Sequence, residues 1–334
     1  MNPSTVQVAF FQHLKAHLPP HIAMVDEIAD LLQISNDSAY RRIRGEKQMD
    51  LEETHTLCRH YRISMDKLLE LETDTFIFSG KLKNGQPEYA FDEWLKDVHD
   101  QFQKINSFEK KHVHYLMKDI PPFVHFQVPE LAVFRCFLYL KSIIADESLK
   151  GIKFTHEDSR YDKYITRCKQ ISVLYNQVPM SEIWNIETLN STLNQIKFYS
   201  QAGAFASISI IKMLFEKLET LINHIEKQAE SGRKFNIGET AGPAVAEYKM
   251  FVNELILGNN TLLAELGDNR VTYLNHSVLY FISTSDIHFN NEMFGNLQNL
   301  VKKSTMISTI GEKERAGFFN RLRGRIHRCA QQLT

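Results

Sequence analysis

Cysteine is scarce: four thiols in 334 residues, Cys58, Cys136, Cys168 and Cys329, stand far apart. No Cys-x-x-Cys occurs and no Cys/His spacing matches a zinc site, which excludes a disulfide scaffold and a zinc module. Reduced, mostly buried thiols in a cytoplasmic protein are the expectation. An excess of one charge is also missing. Lys and Arg number 39 and Asp and Glu 40, for a net charge of −1, which argues against a protein that coats nucleic acid indiscriminately. Long apolar runs are absent, and no segment approaches the roughly 20 residues that a bilayer-spanning helix needs. The opening residues up to Leu18 have apolar side chains but no uninterrupted core before a cleavage site, so they read as an amphipathic helix and not a signal peptide.

Catalytic and metal motifs are equally sparse. Gly238 to Pro243 lacks the Gly-Lys-Ser/Thr ending of a phosphate loop and reads as a turn. No Gly-x-Ser-x-Gly occurs. His112 and His114 are two apart, and on the helix expected there they would point different ways. His13, His17 and His21 have i, i+4 spacing, but Pro19 and Pro20 break the last step. The sequence therefore predicts no enzyme, no metal and no cofactor.

What the sequence does have is concentrated between Met24 and Leu69. Val25, Ile28, Ala29 and Leu32 recur at i, i+3, i+4 and i+7, the apolar stripe of an amphipathic helix. Ile34 and Ser35 break that pattern. Ser35, Asn36 and Asp37 then supply N-cap oxygens for a second helix, and Gly45 ends it where the backbone turns left-handed. On this second helix Ala39 and Ile43 share a buried face. The opposite face centres on Arg41, with Asp37, Ser38 and Arg44 beside it and Tyr40 and Arg42 on its flanks. Such a face suits the DNA major groove. Arg can bind guanine bidentately, Ser can donate or accept, and Asp can accept from the cytosine amino group. Arg44 and Lys47 fall where the helix would leave the groove and can neutralise phosphates. With acids at Asp26, Glu27, Asp30, Glu52 and Glu53 nearby, modest affinity per copy and a need for two copies are expected.

These residues resemble the helix-turn-helix domain of lambda-repressor/Cro-like transcription regulators. The likeness rests on Ala29 in the first helix, Ile34 and Ser35 at the corner, Ala39 and Ile43 at buried positions, Gly45 at the exit, and the ending Ile63 to Leu69. It implies that Asn36, Asp37, Ser38 and Arg41 fall on base-reading positions, and it covers roughly the first fifth of the chain. Farther on, Lys118 to Phe123, Val128 to Leu131, Ser181 to Trp184 and Gly311 to Arg315 resemble stretches in a group of bacterial regulators of unassigned ligand.

The chain in order predicts a first helix over residues 4–18, with Val8, Phe11, Leu14 and Leu18 inward. A helix from Leu51 to His60 follows, with Leu51, Thr54, Leu57 and Cys58 inward, and then a short helix from Ser64 to Leu71. Thr73 to Pro87 is either a linker hairpin or the edge strand of a later sheet, because Thr75 to Gly80 favours a strand and Asn84-Gly85 a turn. Phe91 to Met117 is expected as one or two helices, Leu131 to Ala145 as a central buried helix, and Tyr161 to Asn176 and the stretch opening at Ser181 as further helices. Phe205 to Ala229 carries a seam of Ile208, Ile211, Phe215, Leu218, Ile222 and Ile225, widened by Leu214 and Leu221. That favours intrachain core over a dimer contact. Past Gly232, Glu247 to Leu257 and Thr261 to Leu266 read as two strands around a turn, with Val271 to Ser283 as another strand. Glu292 to Ile307 and Glu312 to Gln331 read as helices. The last has Arg315, Arg321, Arg323, Arg325 and Arg328 on one side and Phe318, Phe319, Leu322 and Ile326 on another. It is expected to be a solvated surface helix, with an extra DNA or acidic-ligand contact as the alternative.

The expected fold is mostly α with a smaller α+β part. It has a helix-turn-helix bundle over 1–72, a linker or hairpin over 73–90, a helical domain over 91–230 and an α+β unit over 231–334. The expected function is a sequence-specific, homodimeric transcription regulator that binds double-stranded DNA, away from any membrane, through Asn36, Asp37, Ser38, Tyr40, Arg41, Arg42, Arg44 and Lys47. Its C-terminal region would dimerise and could sense a small-molecule or protein effector, since more than the last two thirds of the chain is not needed to hold two reading heads together. The alternative is a protein-interaction module that docks through the same bundle without DNA.

Overall fold

The computed structural model describes residues 3–18, 23–61, 63, 65, 76–80, 87–242, 245–255 and 258–333. The chain divides into two compact units, Met1–Ile77 and Phe78–Thr334, mostly α with an α+β part in the second. The boundary falls inside the stretch expected to link domains. The helix expected from Ser64 and the Asn84-Gly85 turn lie outside the described residues.

Four described helices make the first unit: α1 Pro3–His17, α2 Met24–Leu32, α3 Asn36–Ile43 and α4 Leu51–Tyr61. Phe10, Phe11 and Leu14 of α1, Ile28 and Ala29 of α2, Ala39 of α3 and Leu57 of α4 form its core. Each large apolar side chain so buried contributes about 1.5–3 kcal/mol relative to exposure. Leu51, expected inward, is exposed. Six residues at about 100° each carry it some 120° around the helix from Leu57, away from the core.

The second unit is built on one seven-stranded sheet. Its strands are β1 Lys111–Met117, β2 Met180–Trp184, β3 Tyr248–Val252, β4 Thr261–Leu266, β5 Asn269–Asn275, β6 Phe281–Thr284 and β7 Thr305–Met306, in the order β6-β5-β4-β1-β2-β3-β7. β1, β2 and β3 run parallel, and the outer pairings are antiparallel. This corrects the split at residue 231, because β1 and β2, from the supposed helical domain, lie between β4 and β3. Ser181 to Trp184 is a strand and not a helix. The helix expected from Phe91 to Met117 is α5 Pro87–Ser107 followed by β1. Glu247 to Leu266 is no hairpin, since its two strands pair with β2 and β1 and not with each other. Val271 to Ser283 is two strands joined by a turn. Ser79, within the second unit, meets the sheet's edge through an antiparallel bridge to Ser283.

Parallel strands need long crossovers, and here they are helical. Between β1 and β2 run α6 Pro122–His125, α7 Pro129–Leu138 and α8 Asp162–Asn176. Between β2 and β3 run α9 Asn190–Gln201 and α10 Ile208–Ser231. The apolar segment after Pro129 changes pitch at Tyr139–Ile144, which is a π-helix. The seam of α10 is intrachain core: Ile211, Leu214, Phe215, Leu218, Leu221, Ile222 and Ile225 are buried, although Ile208 at its start is exposed. α11 Ile287–Lys302 starts five residues earlier than expected and ends before β7. It covers part of the opposite sheet face, where Phe294 and Leu297 pack on Ile183 and Leu263.

A buried ion pair sits in the sheet's centre. Lys234 Nζ is 2.8 Å from Glu182 Oε1, and both side chains are 2 % exposed. The carboxylate also accepts from Tyr175, from Tyr248 at 2.7 Å and from Trp184 Nε1 at 2.8 Å. Burial alone would raise the Glu182 pKa, but Lys234 and the hydroxyl donors outweigh it and hold the carboxyl below its ordinary value. Four of the five arginines of the closing helix, α12 Glu312–Leu333, are spent on this unit, and Arg328 is exposed. Arg315 is buried on the Ile307 carbonyl, and Arg321, Arg323 and Arg325 pair with Glu254, Glu226 and Glu187. The helix is therefore neither simply solvated nor a free basic stripe.

Candidate nucleic-acid interface

Three residues, Gln33, Ile34 and Ser35, join α2 to α3. Gln33 turns the chain in the left-handed region at φ 52°, and the Ser35 side chain accepts from the Ser38 N–H at 3.3 Å as the N-cap. Gly45, at φ 77°, carries the chain out of α3, in a region where a Cβ would be strained. Backbone N–H groups of Glu46 and Lys47 close back on the Arg41 carbonyl at 2.8 and 3.2 Å. The exit loop is clamped from α1. Gln7 donates to the Arg42 and Lys47 carbonyls at 2.7 and 2.8 Å and accepts from the Met49 N–H at 3.0 Å.

Ala39 faces the core, and Asp37, Tyr40, Arg41, Arg44 and Lys47 are exposed. Arg44 lies over the Tyr40 ring at 4.8 Å and 3.8 Å from Glu46. Asn36 is exposed, but its amide donates to Asp26 of α2 at 2.8 Å, so its donor is committed to holding the two helices together. Ser38 is half-buried.

Arg42 is the correction among the nominated residues. Its side chain is 6 % exposed and forms a forked ion pair with Glu53 of α4, Nε to Oε2 at 2.8 Å and Nη2 to Oε1, with Nη1 on the Ser38 carbonyl at 3.2 Å. Its pKa is raised, first by the hydrogen bond it donates to Glu53, against burial. The geometry explains the inversion. Three residues at about 100° place Arg42 some 60° from Ala39, on the side that meets α4, whereas Arg41 lies across the helix. An arginine so bound does not reach a ligand. The ridge that remains has three cations, Arg41, Arg44 and Lys47, interleaved with Asp37 and Glu46. It sits on a unit whose residues 1–77 hold eight Lys and Arg against twelve Asp and Glu, a net −4. Sequence periodicity found the ridge. It missed Gln7, Asp26 and Glu53, which fix it, because those contacts span 10 to 42 residues.

A second polar cluster lies in the other unit. His112 and His114 are on β1, not a helix, so their side chains share one sheet face, with rings 4.6 Å apart. His112 Nε2 is 2.8 Å from Ser181 Oγ, and His114 Nε2 is 3.4 Å from Glu265. Burial lowers both pKa values, that of His112 to about 4 with help from His114 and Lys249. The serine and the carboxylate contact different rings, so no Ser-His-acid relay runs through one imidazole. Among the described residues no three His, Cys, Asp or Glu side chains converge as a metal site requires, and no helix is long and apolar enough to cross a membrane. No protein-family model matches this sequence, and no curated protein matches it either.

Proposed function

We propose that residues 1–77 bind double-stranded DNA as a lambda-repressor-like helix-turn-helix head and that the chain is a homodimeric transcription regulator. The second unit would supply dimerisation and receive an effector. The supporting observation is the ridge itself. A short helix is set at a three-residue corner, anchored on one side by Ala39 and Arg42, and presents Arg41, Arg44, Lys47 and Tyr40 outward. On this reading Arg41 and Tyr40 face base edges, and Arg44 and Lys47 face phosphates. The net −4 of this unit weakens a single head, which is why two heads belong to the proposal.

The test is a salt titration of the full chain on random duplex DNA, followed by selection of bound sequences. Two heads with two phosphate-facing cations each, Arg44 and Lys47, give about four phosphate contacts and a log–log slope near −3.5; Arg41→Ala with Arg44→Ala removes the base contact and leaves about two phosphate contacts, and a slope near −2. Selected sites should carry two half-sites about one helical turn apart. Absence of binding at low salt sinks the proposal. One observation favours the docking alternative: Asp37 and Glu46 are exposed within the ridge, a pattern suited to a partner protein with basic groups around an apolar contact for Tyr40.

A further inference from the structure

The π-helix Tyr139–Ile144 leads into a feature that no DNA contact explains. π-Helical turns are rare and are found frequently at functional sites. Here it forms one wall of a cleft of about 360 Å³, within the size range of small-molecule sites. Lys141 and Ser142 of the π-helix, Ile152 and Lys153 of the following loop, and Phe198 and Tyr199 of α9 line it.

The chemistry of this lining is one-sided. Lys141 Nζ is held by the carbonyls of Leu149 at 2.9 Å and Ile152 at 2.7 Å and lies 5.2 Å over the Phe137 ring, which fixes the position of its charge. Lys153 is exposed at the rim. The ion pairs of the described residues show no carboxylate within 4.0 Å of either cleft ammonium. Asp146, five residues after Lys141, caps the turn at Ser148, and Glu157, four residues after Lys153, lies 4.0 Å from His156. Ser142 Oγ and Tyr199 OH contact each other and add hydroxyl groups. Phe198, 63 % exposed, and Ile152 supply apolar surface beside the charges. A Cβ built on Gly151 or Gly203 meets nothing within 4 Å, so the walls stand open.

We propose that this cleft binds a small organic anion, a carboxylate or phosphate monoester. Its head group would lie between Lys141 and Lys153, with whichever of the Ser142 and Tyr199 hydroxyls accepts the bond between them donating its own proton to the anion, and its planar or short aliphatic part against Phe198 and Ile152. Lysines supply point charges and no arginine fork is present, so the site selects charge and size more than a bidentate geometry.

Calorimetry on the full chain without DNA tests it. Benzoate, hexanoate and phenyl phosphate are the probes, inorganic phosphate is the head group alone, and benzamide is the uncharged control. The expected result is saturable binding of at least one organic anion at one site per chain, with none of benzamide. The carboxylate and phosphate arms then show which head group fits. Lys153→Glu, at an exposed position, weakens that binding about tenfold or more. Ala202→Trp, also exposed, fills the cleft and abolishes it, and both variants should unfold at the wild-type temperature. The proposal is overturned if no anion binds at about 10 mM, where even a Kd near millimolar registers. It is equally overturned if binding survives both variants unchanged. Since no DNA enters the measurement, its failure leaves the reading of α3 untouched, and failure of DNA binding leaves this one untouched.

Discussion

Two adjacent arginines should behave as unlike residues. Arg42→Ala deletes the forked pair with Glu53, the bond to the Ser38 carbonyl and the stem that covers α4, and it leaves a carboxylate that is only 16 % exposed without its cation. Exposed pairs contribute at most about 1 kcal/mol, whereas breaking a buried one costs about 3–5. With exposures of 6 % and 16 % this pair falls between, at about 2–3 kcal/mol. A unit of this size has a total stability of roughly 4–12 kcal/mol, so the loss is a large fraction of it. At about 4–8 °C per kcal/mol it lowers the midpoint of that unit by roughly 10–20 °C. Arg41→Ala removes an exposed side chain and should stay within about 0.5 kcal/mol of wild type. The assay is hydrogen exchange followed by mass spectrometry on the full chain, read on peptides from residues 36–61, alongside calorimetric unfolding. Arg42→Met with Glu53→Leu, an apolar replacement of both partners, should recover most of the loss. If Arg42→Ala leaves protection of those peptides no lower than Arg41→Ala does, the pair does not hold α3 on α4 and the assignment of Arg42 to structure is refuted.

Lys234→Met strands the Glu182 carboxylate. Tyr175, Tyr248 and Trp184 still donate to it, so the cost should sit near the low end of about 3–5 kcal/mol; a chemical-denaturation shift worth less than about 1 kcal/mol refutes the pair's role. Gln7→Ala leaves two carbonyls and the Met49 N–H without their side-chain partner, and should loosen exchange in residues 42–49 by about 1–3 kcal/mol while α2 stays protected. Acid should weaken the second unit. Burial depresses the pKa of His112 to about 4, and also lowers those of His114, His125 and His224, so the folded state stays neutral where the unfolded state binds protons. Their contribution is intact above pH 6.5 and declines as pH falls from there toward 4, by about 1.4 kcal/mol per pH unit for each proton fully withheld. An unfolding midpoint that is flat between neutral pH and pH 5 contradicts this.

The first unit was legible because its elements are local. The stripe Val25, Ile28, Ala29, Leu32, the cap at Ser35 and the left-handed exit at Gly45 each act within one or two turns, and the structure has helices at Met24–Leu32 and Asn36–Ile43. The sheet of the second unit was legible only in part. β2 is buried on both faces from Met180 to Trp184, so it shows no alternation, and a charged Glu182 at its centre reads as a helical surface residue. β1 does alternate, with Val113, Tyr115 and Met117 buried, but it continues directly from a helical pattern and was absorbed into it. β3 and β4 were found as strands and paired wrongly, because a sequence shows neighbours along the chain, not the two strands inserted between them.

The same limit governs which charges can act outward. Arg41, Arg42 and Arg44 look alike in sequence, as do Lys141 and Lys234, and composition weighs them equally. Their partners separate them. Arg42 is neutralised by Glu53 eleven residues away, and Lys234 by Glu182 fifty-two residues away. Across the sheet unit, Arg321, Arg323 and Arg325 are neutralised by acids 67, 97 and 138 residues distant. An ion pair formed within the fold removes a cation from the count available to a ligand, and burial makes the removal complete. Arg41, Arg44 and Lys47 at one place and Lys141 and Lys153 at another are among the cations with no described carboxylate closer than the 3.8 Å from Glu46 to Arg44. If both proposals hold, a protein with almost no net charge presents two separate anion-facing surfaces, one sized for a polymer's phosphates and one for a small molecule.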